Sequence, residues 1–152
     1  EDEPAYAEKA KRFSSKVKDV MEFFSEQKPE LIFNLELEPE LTTYHDACHL
    51  IHAQKVSTQP REVIKSLPGV KYTELEEASW CCGSAGIYNV VRYDDAVKQL
   101  ERKMTNIKNT NAKIVLTGNP GCMGQIKHGT KKFNVDVEVL HPVSLIKRLL
   151  KK

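Results

Sequence analysis

Four cysteines pose the chemical question in this 152-residue chain. Cys81 and Cys82 are adjacent, inside Trp80-Cys81-Cys82-Gly83-Ser84-Ala85-Gly86. Cys48, in Tyr44-His45-Asp46-Ala47-Cys48-His49-Leu50, is separated from the pair by 32 residues, and Cys122, in Gly118-Asn119-Pro120-Gly121-Cys122, by 39. Neighbouring side chains on an extended chain point to opposite faces, so both sulfurs serve one site only if the backbone turns sharply. Gly83 permits that turn.

Thiolates are soft ligands that select zinc, copper(I) or iron–sulfur clusters over magnesium and calcium. Structural zinc sites usually draw on Cys-x-x-Cys pairs. This chain has none, because Gln125 stands three residues after Cys122. A multi-iron cluster spreads its ligands further apart and takes adjacent cysteines more readily. An iron–sulfur cluster is therefore the first choice and zinc the alternative. Disulfides suit short secreted chains without a large core, which this is not, and a Cys81–Cys82 bond would be strained. Inert buried thiols are the bland reading.

His45, His49 and His52 gather around Cys48. Each is a substitute ligand or proton donor on the functional reading, and a loop-packing group or hydrogen-bond partner on the plainer one. His128 and His141 read as structural. Trp80 reads as core, or as a shield between the site and water.

What must position these residues is an α/β scaffold. Residues 4–26 read as one amphipathic helix, with Tyr6, Ala10, Phe13, Val17, Met21 and Phe24 at steps of three and four, packing on a core. Residues 29–40 are irregular and acidic, with room for a short edge strand over the alternating Leu31, Phe33, Leu35 and Leu37. Strands are expected over 41–46, 70–75, 113–117 and 136–140. Helices are expected over 49–54, 60–66, 84–90, 94–109, 122–131 and from Val143 to Leu150.

Strands alternating with helices predict a parallel β-sheet of about four strands, with helices on both faces and an N-terminal amphipathic helix. In such sheets ligands gather outside the carboxyl ends of the strands. Cys48 follows the first expected strand, Cys81 and Cys82 the second, and Cys122 the third. Topology thus brings all four cysteines to one sheet edge. Two of the four sit at expected helix starts, where the helix dipole lowers a thiol's pKa.

Composition narrows the classes. Hydrophobic residues make up 40% and charged residues 29%, as in an ordinary globular chain. A net charge of +2 gives no argument for nucleic acid. No apolar run approaches the roughly 20 residues of a membrane span, and no signal peptide is visible. The chain opens on Glu1, so a processed product or a piece of something longer is expected.

The three cysteine segments together resemble the cysteine-rich CCG domain. Within that family Tyr44–Leu50, Trp80–Asn89 and Gly118–Cys122 are similar to the C-terminal CCG domain of the glycolate oxidase iron–sulfur subunit, with the CCG-bearing subunit of heterodisulfide reductase as a relation. The resemblance extends from Pro4 to Leu149. It implies an N-terminal helix and linker over 1–40 and a metal-binding α/β domain over 41–152, part of a larger iron–sulfur subunit. It implies Cys48, Cys81, Cys82 and Cys122 as ligands of an iron–sulfur cluster, 4Fe–4S in type. The function implied is electron relay from a flavin-containing oxidase subunit in a 2-hydroxy-acid (glycolate) dehydrogenase complex, with no catalysis by the domain alone. Cytoplasmic placement follows, peripheral to the inner membrane at most. Gln125 departs from the closing Cys-x-x-Cys of heterodisulfide reductase, so a five-thiolate non-cubane cluster cannot be built here in the same way. The alternative is a structural zinc or subunit-docking domain without electron transfer. A disulfide-exchange site at Cys81 and Cys82 is a third reading.

Overall fold

Three consecutive branched residues, Ile114, Val115 and Leu116, form a strand buried on both faces, as expected at the centre of a parallel sheet. In the computed structural model, which describes residues 3–151, this is the third of four strands. The others are β1 (Glu40–Tyr44), β2 (Val70–Tyr72) and β4 (Glu138–Leu140), with Ile114–Leu116 as β3. The spatial order is β2-β1-β3-β4 and every pairing is parallel.

Helices cover both faces, as the alternation of strands and helices predicts. Strand side chains alternate, so β3 divides the core in two. Ile114 and Leu116 join Met21, Tyr44, Ile64, Leu145 and Leu149 on one face. That face is covered by α2 (Val20–Gln27), α3 (Thr58–Ser66) and α7 (Pro142–Leu149). Val115 joins Leu100, Met104, Ile107 and Ile126 on the other, under α5 (Tyr93–Asn109) and α6 (Pro120–Lys132). Cys82 and Cys122 belong to this second cluster. Among the described residues no helix is long and apolar enough to cross a membrane.

Three expectations are corrected. The single helix over 4–26 is a 3-10 turn, Pro4–Tyr6, followed by two helices, α1 (Ala7–Ser14) and α2. Asp19 starts a new helix: its carboxylate accepts from the Met21 N–H at 2.8 Å, and the Glu22 carboxylate accepts from the Asp19 N–H. This reciprocal capping satisfies backbone donors that a continuous helix would have used internally. Only α2 reaches the core, through Met21; no residue of α1 is buried, and Tyr6, Phe13 and Val17 are exposed. Over 29–40 there is one antiparallel bridge, Phe33 to Leu150, in place of an edge strand. Leu31 and Phe33 pack partly against the core while Leu35 and Leu37 face solvent, so the alternation gives out after its first two residues.

The helix expected over 84–90 is a single turn, α4 (Tyr88–Val91). Before it the chain runs irregularly through Gly83 and Gly86, both at positive φ. A side chain at Gly83 would strike the Ala96 carbonyl oxygen, 2.5 Å from an ideal Cβ. The doublet turn is thus pressed against the first turns of α5. The segment after Cys48 is a π turn, Leu50–Gln54.

Candidate metal centre

The chain leaves β1 towards β2 on one side and later crosses back to β3 on the other. The strand order therefore reverses between β1 and β3, where open parallel sheets form a crevice at their carboxyl ends. His45 directly follows β1, and its N–H donates to the Leu116 carbonyl at 2.8 Å, continuing the ladder. Tyr44 belongs to the opposite face, so alternation turns His45 towards the α5–α6 side. Cys122 is the third residue of α6, reached from β3 through Thr117–Asn119. The loop from β2 brings in Cys82.

These three meet: one ring nitrogen of His45 and the Sγ atoms of Cys82 and Cys122 all lie within 4.8 Å of one another. All three residues are buried, His45 and Cys82 to 1% exposure. Cys81 is half-buried, next in the chain to the buried Cys82. The Gly83 N–H donates to Cys81 Sγ at 3.3 Å. Cys48 is exposed at the rim, within electrostatic reach of Cys122. The cysteines expected at one edge are all there, but they form a buried pair with a partner at its shoulder and one thiol outside.

The thiols perturb one another. The neighbouring Cys122 is the main reason Cys82 is pushed up to about 12, and Cys82 in turn holds Cys122 below the ordinary thiol value. Cys81 is pushed up by the neighbouring Cys82, with burial adding to the effect. The place of Cys122 in the first turn of α6 suits a negative charge. Asn119 caps that helix, its side-chain oxygen accepting from the Gly121 N–H at 2.7 Å and the Cys122 N–H at 3.2 Å.

His45 is the histidine that joins the group. Burial, reinforced by the charge of Lys103, lowers its pKa from 6.5 to about 3, so its imidazole is neutral and able to ligate. Its Nδ1 has no hydrogen-bond partner among the described residues, nor do Thr43 Oγ1 and Thr117 Oγ1. Alternation puts Thr43 and Thr117 on the same face as His45. Orphaned buried polar atoms cost free energy, and all three belong to the face that also carries Cys82 and Cys122. His49 instead supports the α6 cap, with Asn119 Nδ2 at 3.0 Å from its Nδ1. His128 pairs with Tyr93 Oη at 3.2 Å, and His141 caps α7 through the Val143 N–H.

Two arginines brace the loops. Arg61 on α3 holds the nearly buried Asp46 with both terminal nitrogens, at 2.8 and 2.9 Å, and also bonds Glu74. Arg102 on α5 pairs with Glu77 and lies 4.1 Å over the Trp80 ring. Trp80 is 41% exposed under that guanidinium, so it is neither core nor a lid on the thiols. Gln125, buried on α6, accepts from Asn89 Nδ2 at 3.1 Å. It walls an open pocket of about 490 Å³ with Ser84, Gly121 and His128.

Sequence reasoning left His45 among three equivalent histidines and passed over Lys103. Both had a signal: His45 is the first residue beyond a strand at the carboxyl edge, and Lys103 falls on the apolar stripe Ala96, Leu100, Met104, Ile107.

The cysteine-rich domain profile, CCG, matches residues 42–127, which span β1 through most of α6. The chain is 40% identical over 151 residues to the probable glycolate oxidase iron–sulfur subunit of Bacillus subtilis, covering 95% of this chain and 33% of that protein. It is 32% identical over 133 residues to one of the subunits of the fumarate reductase (CoM/CoB) of Methanothermobacter marburgensis, covering 86% and 26%. Lactate utilization protein A of Bacillus licheniformis is 27% identical over 140 residues, covering 92% and 58%. The chain thus spans about a third of the first relative's length. With the profile covering more than half its length, from the first strand to the helix that carries Cys122, the chain belongs to the cysteine-rich CCG domain family.

Proposed function

We propose that this chain is an electron-carrying domain of a 2-hydroxy-acid oxidising complex of the glycolate dehydrogenase type, in which Cys48, Cys81, Cys82 and Cys122 bind a 4Fe–4S cluster. The observation that carries the reading is the meeting of Cys82, Cys122 and His45 within 4.8 Å at the sheet's carboxyl edge, with the free thiol of Cys81 next in the chain to Cys82. The donor set fits such a group: soft sulfurs, a neutral imidazole and unpartnered polar atoms on one face. The iron–sulfur name of the Bacillus subtilis relative supports it further. Bound there, an iron–sulfur cluster supplies one-electron storage and transfer.

The chain's own residues divide the work. Cys122 offers a thiol held below the ordinary value, at a helix start that favours its charge. The Gly83 N–H stabilises charge on the Cys81 sulfur. Leu50, Ala47 and Val115 keep water from the buried side. Cys48 at the rim closes the set from solvent. Every one of these donors lies within 41–152, with 1–40 leading into it. The partners in this reading are a flavin-containing subunit, which does the substrate chemistry, and the remainder of the iron–sulfur subunit. Alone, the domain is not expected to oxidise glycolate.

The test is anaerobic purification followed by iron, sulfide and zinc analysis. Iron and acid-labile sulfide in comparable amounts per chain are expected. Stoichiometric zinc without iron would sink the relay reading. One observation favours that second outcome: His45, Cys82 and Cys122 are a nitrogen and two sulfurs within 4.8 Å of one another, a set that one further thiol would complete to the kind structural zinc uses. The chain would then be an assembly domain.

A further inference from the structure

Lys103 is fully buried, at 0% exposure, on the inner face of α5. Its ammonium donates to the backbone carbonyl of Glu77 and, at 3.3 Å, to that of Ala78. The Ala78 carbonyl also accepts from the Asp46 N–H at 3.1 Å, so Lys103 sits where the loop bearing His45 meets the loop leading to Cys81. Burying an ammonium without an anion is expensive. Among the described residues, none of the ion pairs formed includes Lys103.

The acids within its electrostatic reach are Glu77, Asp46, Cys82 and Cys81. Both carboxylates are already engaged. Asp46 is gripped by Arg61 through two bonds. Glu77 accepts from Arg102 and from Asn106 Nδ2. His45 is neutral. Asp46 shares Arg61 with Glu74, and Glu77 pairs with Arg102, so neither carboxylate bonds Lys103, whose buried charge is left in reach of the thiols.

We infer that Lys103 is a built-in counter-ion for metal-bound thiolates, a positioning residue whose charge favours both loading of the site and its more negative, reduced state. This rests on the reading that the cysteines hold an iron–sulfur cluster. Nearby positive charge stabilises the reduced form more than the oxidised one, so its removal shifts the equilibrium against reduction.

The experiment compares Lys103→Met, close in shape but uncharged, with Lys103→Arg. Each is purified anaerobically beside the unaltered protein. Iron per chain is measured before and after a chelator challenge, the reduction potential by titration with dithionite, and the melting temperature on metal-free protein. Lys103→Met should disfavour reduction at least tenfold, about 59 mV more negative for a one-electron couple. It should also lose iron faster to the chelator, while its metal-free melting temperature stays level or rises because a buried charge is gone. Lys103→Arg should hold the potential near that of the unaltered protein. Iron retained at an unmoved potential, with a lowered metal-free melting temperature, makes Lys103 a plain strut for the two carbonyls and overturns this inference alone. Unaltered protein that binds no iron overturns the cluster reading and the counter-ion with it.

Discussion

The two faces of one four-stranded sheet have been built to different ends. The face under α2, α3 and α7 is filled by Met21, Ile64, Leu116, Leu145 and Leu149. The face under α5 and α6 also has an apolar floor, yet at its carboxyl end it carries two thiols, a neutral imidazole and a buried ammonium. Its three orphaned polar atoms, from Thr43, His45 and Thr117, all fall on this side. One face carries stability with little polar cost. The other gives up some of that stability to keep donors dry and converging, and such local costs are commonly found at functional sites.

That contrast is open to attack from either face. Leu116→Ala removes a fully buried side chain from the apolar face and should cost about 2–5 kcal/mol in urea denaturation. Metal per folded chain should be unaffected; a proportional loss of metal would show that the faces are not separable. Cys82→Ser should do the reverse, losing most of the bound metal by elemental analysis with a far smaller change in metal-free stability. Full metal retention by this variant would count against the convergence of donors.

Acid gives a subtler probe. His45 has a folded pKa of about 3 against 6.5 for a free histidine, so below pH 6.5 the unfolded chain binds a proton that the folded chain refuses. Metal-free stability should therefore be complete above about pH 6.5 and decline as the pH falls towards 3. Between pH 6.5 and 4.5, before the salt-bridged carboxylates Glu74, Glu77 and Glu138 respond, His45→Gln should flatten the slope. An unchanged slope would mean that His45 is not the group held neutral. The smallest effect is expected from Gln125→Ala, which loses one hydrogen bond to Asn89 and should keep nearly all its metal. Large metal loss there would move the site towards the open pocket.

How far the sequence foretells this division depends on the kind of signal. The parallel sheet and its central strand are legible because Ile114, Val115 and Leu116 have no polar alternation to mislead. The shared edge of the cysteines is legible because strand–helix alternation alone determines where each loop emerges. The break between α1 and α2 is hidden, since Phe13, Val17 and Met21 keep helical spacing across it; the Asp19–Glu22 capping pair is the only mark. The short α4 is hidden because the turn before it, with Gly83 and Gly86 at positive φ, depends on the close approach of Gly83 to Ala96, which is a tertiary contact. Selecting His45 from three histidines requires knowing that β1 ends at Tyr44, and strand ends are the least certain feature of a sequence. Lys103 is passed over because a lysine in an apolar stripe is ordinarily taken for a side chain that reaches out to water.

The reversal of strand order between β1 and β3 also bears on when the site can come into being. Its donors sit on loops from three separate strands, so no local stretch of chain holds enough of them to capture a metal. A growing polypeptide must form β1, add β2, cross back and pair β3 before Cys122 faces Cys82. In small zinc modules the ion and the fold arrive together. Here the apolar face holds none of the proposed donors, so on the cluster reading the scaffold would form first and the metal would enter late. Delivery machinery would meet a finished fold whose exposed thiol, Cys48, is the first handle on offer.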